Sequence, residues 1–288
     1  MPDAVRGRRA GLLVTLASIA VLAGLWQLAS VLVTGESAEG GSVVPGWQQV
    51  FGDAFAGLSD YWRGGLGIET VADGGERSHL TALLALGHHA LITLQRLVLG
   101  LALCSVVGLG LALAVSWSPW TRRLVALPTD LVRALPQLAM IPLFALWFGI
   151  SLGGMVLFTA YGTGVLFFAG MVNAVGNVPQ RYVDNARTLG ASKLRIYRTV
   201  ILPATLPEMR STILLGLGVA WSAVAGAEFL GAQDGLGHII VYSQLYGFVD
   251  RMVVVALLFV VFAVVTYVAF DRLARRLTAW APQPRSGR

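Results

Sequence analysis

The sequence predicts an all-α membrane protein with six transmembrane helices and both termini in the cytoplasm. Three observations carry that prediction. The chain is 56% hydrophobic and only 12% charged, about half the charged share of an ordinary soluble domain. Its apolar residues gather into six runs, each near the roughly 20 residues that cross a bilayer. Its arginines and lysines fall mostly into alternate connections between those runs. The net charge of +6 invites a nucleic-acid reading, but the basic residues are not interleaved with aromatic stacking platforms. The single cysteine, Cys104, lies inside an apolar run, which excludes an intrachain disulfide and a multi-cysteine metal site.

The first run, Ala10–Val33, follows Arg6, Arg8 and Arg9. A cleaved signal peptide has the same basic start, but its apolar region is about 7–15 residues long, so an uncleaved span is expected. The remaining runs are Leu86–Val115, Leu124–Phe148, Leu152–Val175, Leu206–Leu230 and Met252–Leu273. With the N-terminus inside, Arg122 and Arg123, then Arg181, Arg187, Lys193, Arg195 and Arg198, then Arg272, Arg275 and Arg276 all face the cytoplasm. The opposite connections hold few, Arg63, Arg77 and Arg251, and instead carry Glu36, Glu39, Asp53, Asp60, Glu69, Asp73 and Glu76. This is the positive-inside bias. The expected organisation is a cytoplasmic N-terminus over 1–9, a first span over 10–33, an external segment over 34–85, a five-helix core over 86–277 and a cytoplasmic tail over 278–288.

The basic segment between the fourth and fifth spans reads as a helical hairpin. Tyr182, Ala186 and Leu189 repeat at i, i+4 and i+7, one face of a helix, with Arg181, Asp184, Arg187 and Thr188 opposite. Gly190 permits a sharp turn. Ser192 is placed to cap a second helix bearing Leu194, Tyr197 and Ile201, which Pro203 is expected to break. A basic amphipathic hairpin can lie in lipid headgroups or dock on a cytoplasmic protein.

The residues of this hairpin resemble the EAA loop of permease subunits in bacterial ABC importers. That pattern runs Glu-Ala-Ala, three residues, Gly, nine residues, then Ile-x-Leu-Pro. Here Asp184-Asn185-Ala186, Gly190 and Val200-Ile201-Leu202-Pro203 stand at those offsets, departing from it at Asp184, Asn185 and Val200. Val44-Pro45 with Gln49-Val50, His89 with Thr93-Leu94-Gln95-Arg96 and Gly100, and Arg133-Ala134-Leu135-Pro136 are similar to the nitrate, sulfonate and taurine group. So are Ile141-Pro142-Leu143 with Trp147-Phe148-Gly149. Gly216–Ser222, Ala227-Glu228 and Gly235-Leu236-Gly237 resemble taurine permeases in particular, while Gly64–Leu80 looks like an insertion.

The resemblance implies a type I importer permease fold, with 178–203 as a cytoplasmic coupling loop and a short amphipathic helix in the external segment. Tyr182, Asp184, Asn185, Ala186, Leu189, Gly190, Ala191, Leu194, Leu202 and Pro203 would then meet the ATP-hydrolysing subunit. It further implies two copies of this chain, two ATPase subunits that bind ATP and Mg, and an external substrate-binding protein. Taurine or another alkanesulfonate is the expected solute, with nitrate, bicarbonate and a thiamine precursor as alternatives within the group.

The chain has no phosphate loop of the type Gly-x-x-x-x-Gly-Lys-Ser/Thr, so it is not expected to hydrolyse ATP or to carry a cofactor itself. His88 and His89 are adjacent and point to different helix faces, which suits a membrane boundary rather than a metal. Gly162, Gly164 and Gly170 suit close helix packing, and no pore-filter motif supports a channel.

Charges within spans are the candidates for a solute path. Arg96 and Arg210 lie near span starts and are expected to snorkel. Arg133 stands among Pro128, Pro136 and Pro142, with Asp130 as an i−3 partner. Gly218, Trp221, Ala225 and Glu228 share one helix face, with Ser222 adjoining, and are expected to line the path; Glu228 would alternatively anchor the external loop.

Overall fold

The computed structural model describes residues 2–33, 35 and 42–280, and their side chains except at 2–10, 12, 126, 127, 130 and 133. Among the described residues the regular secondary structure is helical; the bridge between Gly65 and Ile68 is isolated, as is the bridge residue Ser42. Two compact units emerge, one from residues 1–88 with 239–258, the other from 89–238 with 259–288.

The first unit opens with α1 (Pro2–Leu32), whose segment Leu13–Leu32 is long and apolar enough to cross a membrane. Two short helices follow, α2 (Trp47–Phe51) and α3 (Asp53–Gly57). Tryptophan fastens α2 to α1: Trp47 Nε1 donates to Ala23 O at 2.9 Å, and Trp26 Nε1 to Pro45 O at 2.9 Å. Val50, Ala54 and Leu58 turn inward, so an amphipathic segment after the first span is present.

The expected insertion is a closed loop. At its base the Ser59 hydroxyl donates to Ser78 O at 2.9 Å, and Arg77 clasps Asp60 through two N–H groups at 2.8 and 3.0 Å. Asp60 also accepts from Arg251 Nη1 at 2.9 Å. The Arg251 guanidinium lies against Gly57, where any side chain would collide with it, and 4.2 Å from the Phe248 ring centre. Tyr61 shares a 2.9 Å hydrogen bond with Ser243, and burial pushes its phenol above the usual value.

The second unit is built on long helices. Helix α4 (His79–Trp117) is 39 residues, roughly 58 Å of helix, so it outruns the hydrocarbon layer. Helix α5 (Pro119–Ala134) starts on Ser118, whose hydroxyl accepts from Trp120 N, with Pro119 in its first turn.

The expected third span, Leu124–Phe148, is not one helix. It divides into α5, a 3₁₀ turn at Leu138–Met140 and the short α6 (Ile141–Phe148). Pro136 is the cause: it lacks a donor and forces Leu135 into extended backbone (φ −75°, ψ 127°). Among the described residues five helices, rather than six, are long and apolar enough to span a membrane by themselves.

Helix α7 (Leu152–Gly176) packs on α10 (Leu202–Phe229), and glycines set their approach. A Cβ at Gly170 would collide with Thr212, and one at Gly216 with Phe167; Gly162 lies under the Gln137 side chain, while Gly164 meets nothing. Phe167 and Met171 of α7, Leu97 and Leu101 of α4, and Leu217 and Val224 of α10 form the core. Between α7 and α10 lie α8 (Gln180–Thr188) and α9 (Lys193–Ile196); α11 (Leu236–Leu245) and α12 (Val249–Leu277) end the described chain. Asp271 of α12 accepts from Arg210 Nε at 3.0 Å, so Arg210 is paired within the protein rather than left to snorkel.

Because Gly170 meets a neighbour and Gly164 does not, Gly170→Val should lower stability by about 1–3 kcal/mol, whereas Gly164→Val should leave it near that of the parent. Thermal unfolding in detergent compares the two; equal shifts would mean that the α7–α10 contact is not set at Gly170.

Candidate functional site

The connection from α7 to α10 is a short, exposed helical hairpin. Its turn is a Schellman end: Gly190 has φ +75°, Ala191 N donates to Ala186 O at 3.0 Å, and Gly190 N to Arg187 O at 2.9 Å. The Ser192 hydroxyl then accepts from Arg195 N, as the sequence predicts.

Pro203 does not break the second helix. Residues Tyr197–Ile201 form a π-turn, and Leu202 and Pro203 enter the first turn of α10, where a missing N–H costs little. Helical structure therefore continues from Lys193 to Phe229.

The hairpin buries Val183, Ile196 and Ile201. Ala186 and Ala191 pack partly against the same core. Tyr182, Leu189 and Leu194 are exposed, Leu189 to 87%. Asp184 accepts from Gln180 Nε2 at 3.1 Å and pairs with Arg187 at 3.3 Å, and Asn185 O accepts from Leu189 N. The inward face thus runs through Val183 and Ile196, and the expected apolar face is left largely unoccupied.

A second polar centre lies at the far end of α10. Glu228 has no exposed surface. Its carboxylate accepts from Thr93 Oγ1 at 2.9 and 3.0 Å, Arg96 Nη1 at 2.6 Å and Gly237 N at 2.8 Å. Arg96 Nη1 also donates to Asp234 O at 2.7 Å, and Gly235 N donates to His89 Nδ1 at 2.9 Å.

His89, Thr93 and Arg96 sit at i, i+4 and i+7 on α4, and that shared face was the available sequence signal. The expectation that Arg96 snorkels is corrected, because Arg96 is buried in this network, as is His89. Side chains at Gly235 or Gly237 would collide with Glu228, which is why the loop presents two glycines there.

The expected stripe on α10 divides. Trp221 is buried, donating to Thr266 Oγ1 at 3.0 Å and standing edge-on to Phe259. Trp221 and Glu228 therefore do not look onto one cavity. Gly218 and Ser222 are exposed and Ala225 is half-buried, on a face that also carries Ser211 and Leu215. Pro136 is exposed after α5. The side chains of Arg133 and Asp130 lie outside the described residues, and so does their expected pairing. No group of three or more metal-ligating side chains occurs among the described residues.

Long apolar helices joined by an exposed basic hairpin describe a membrane-embedded protein. Residues 106–279 match the binding-protein-dependent transport system inner membrane component family, and the chain belongs to that family. It is 30% identical over 195 residues to the taurine transport system permease protein TauC of Escherichia coli K12, covering 68% of this chain and 71% of that one. It is 29% identical over 192 residues to a Bacillus subtilis 168 permease named for aliphatic sulfonate transport, SsuC, covering 67% and 70%. Among solved structures, an inward-facing form of the MetNI methionine ABC transporter aligns with a TM-score of 0.60 at 22% identity, covering 70% of this chain and 99% of that one. The chain is a permease subunit of an ABC importer, a multi-pass inner-membrane protein of the type I fold.

Removing one member of a buried ion pair costs about 3–5 kcal/mol. Glu228→Leu should lower the thermal stability of the purified protein by that order, and adding Arg96→Met should restore much of it. A double variant no more stable than Glu228→Leu alone would mean that the pair does not hold α4 to α10.

Proposed function

We propose that this permease passes a small sulfonate, taurine or another alkanesulfonate, from an external binding protein to the cytoplasm. The likeness to TauC across two thirds of the chain carries the substrate reading. Two copies would enclose the path, and two ATPase subunits holding ATP and Mg would drive it. The hairpin from Tyr182 to Leu194 is the coupling element: its exposed Tyr182, Leu189 and Leu194 offer apolar contact to a cleft, and Gly190 with Ala191 keeps the turn compact. Asp184, Asn185 and Ala186 supply the helix that presents them, and Leu202 and Pro203 pass the motion into α10.

Within the path, the exposed Gly218, Ser222 and Ala225 face favours contact with the solute, since a hydroxyl and small side chains suit a compact zwitterion. Trp221 and Glu228 support that face from behind, and Arg133 with Pro136 stands at the break between α5 and α6. A buried carboxylate already satisfied by Arg96 and Thr93 is a poor ligand for a sulfonate, because like charges at about 4 Å repel by roughly 4 kcal/mol at an effective dielectric of 20.

Proteoliposomes holding the permease, its ATPase and its receptor should import labelled taurine with ATP inside, and excess alkanesulfonate should compete while nitrate does not. Leu189→Asp should weaken ATPase association about tenfold or more, because a charge enters an apolar contact, and import should fall with it. Competition by nitrate alone would overturn the substrate; full import by Leu189→Asp would remove the hairpin's coupling role.

The same reading places 34–85 outside and 178–203 in the cytoplasm. In intact cells an impermeant thiol reagent should label Ala72→Cys and spare Thr188→Cys, both positions being exposed. The reverse pattern would invert the topology.

A further inference from the structure

Where α4 and α7 end beside the hairpin, the second unit holds an open cavity of about 700 Å³. Its lining includes polar side chains, among them Arg122, Arg187, Lys193, Ser116 and Tyr197. Apolar ones, among them Ala112, Val115, Val172 and Ile196, line it as well. No aspartate or glutamate lines it; Asp184, which is not among the lining residues, pairs with Arg187. The lining therefore has an excess of positive charge.

Its donors are also held in place. Lys193 Nζ donates to Trp117 O at 2.7 Å and lies 4.4 Å from the Trp117 ring centre, which leaves ammonium protons for a further acceptor. The Ser116 and Tyr197 hydroxyls share a 3.1 Å hydrogen bond. Tyr197 and Ile201 reach the cavity from the two ends of the π-turn, an irregularity that recurs at functional sites. The Trp117 and Tyr197 rings meet at a tilt, 4.8 Å between centres, where α4 ends; aromatic residues are enriched where membrane spans meet headgroups.

The geometry points to a binding site for one anionic phospholipid: phosphate against Arg122, Arg187 and Lys193, and the upper acyl chain along the apolar side chains. A free inorganic anion would use only the polar ones. A basic pocket between helix ends is the chemistry that selects anionic headgroups. The site is separate from the solute path and does not depend on which solute is carried.

Native mass spectrometry of the purified permease–ATPase complex, titrated with phosphatidylglycerol or with phosphatidylcholine of the same chains, tests this. Phosphatidylglycerol should bind more tightly, Arg122→Gln and Lys193→Gln should each weaken it about fivefold, and Lys193→Arg should retain it. Arg123→Gln, a neighbouring cation that does not line the cavity, should bind as the parent does. Equal binding of the two lipids, or unchanged binding in both glutamine variants, would overturn the site. Displacement of the lipid by excess inorganic phosphate would overturn it in favour of a free anion. Binding to the permease alone but not to the complex would assign the cavity to an acidic surface of the ATPase.

Discussion

A carboxylate with no exposed surface exists only where donors surround it, and Glu228 dictates much of what lies near it. Its partners come from α4 and from the turn that follows α10, so one side chain fixes a helix pair and a loop together. The loop must approach so closely that only glycine is admitted at Gly235 and Gly237. Arg96 in turn is buried because Glu228 neutralises it and Asp234 O takes a second proton. In a setting poor in water these bonds have no competitor, and their geometry replaces the hydrophobic drive that lipid removes between helices.

Elsewhere the helices meet through small residues and close contact. Gly170 against Thr212 and Gly216 against Phe167 let α7 and α10 approach closely. The two ends of α10 are held differently: the far end by the buried Arg96–Glu228 pair, the near end by Arg210 with Asp271 and by its entry through a π-turn and Pro203 from an exposed hairpin.

The long spans and the hairpin were legible in the sequence because both rest on local pattern. Apolar run length marks a span, and Gly190 followed by Ser192 marks a turn and a cap whatever the rest of the chain does. The inward face of the hairpin was not legible: Tyr182, Ala186 and Leu189 fit the period, yet Val183 is the residue that meets the core. Periodicity gives a helix's stripes but not which stripe finds a neighbour. The Arg96–Glu228 pair joins residues 132 apart, a distance over which composition and spacing carry no signal. The break in the third expected span was written in Pro136, but the apolar run around it hid the loss of a continuous helix.

The loop between Ser59 and Ser78 is closed at its base. Its two stems are buttoned together by a serine hydroxyl and an arginine–aspartate clasp. Closing a loop costs only slowly more as it lengthens. Lineages can therefore lengthen, trim or recolour this stretch while the transport machinery stays unaltered, which makes it the natural place for such a permease to acquire new surface.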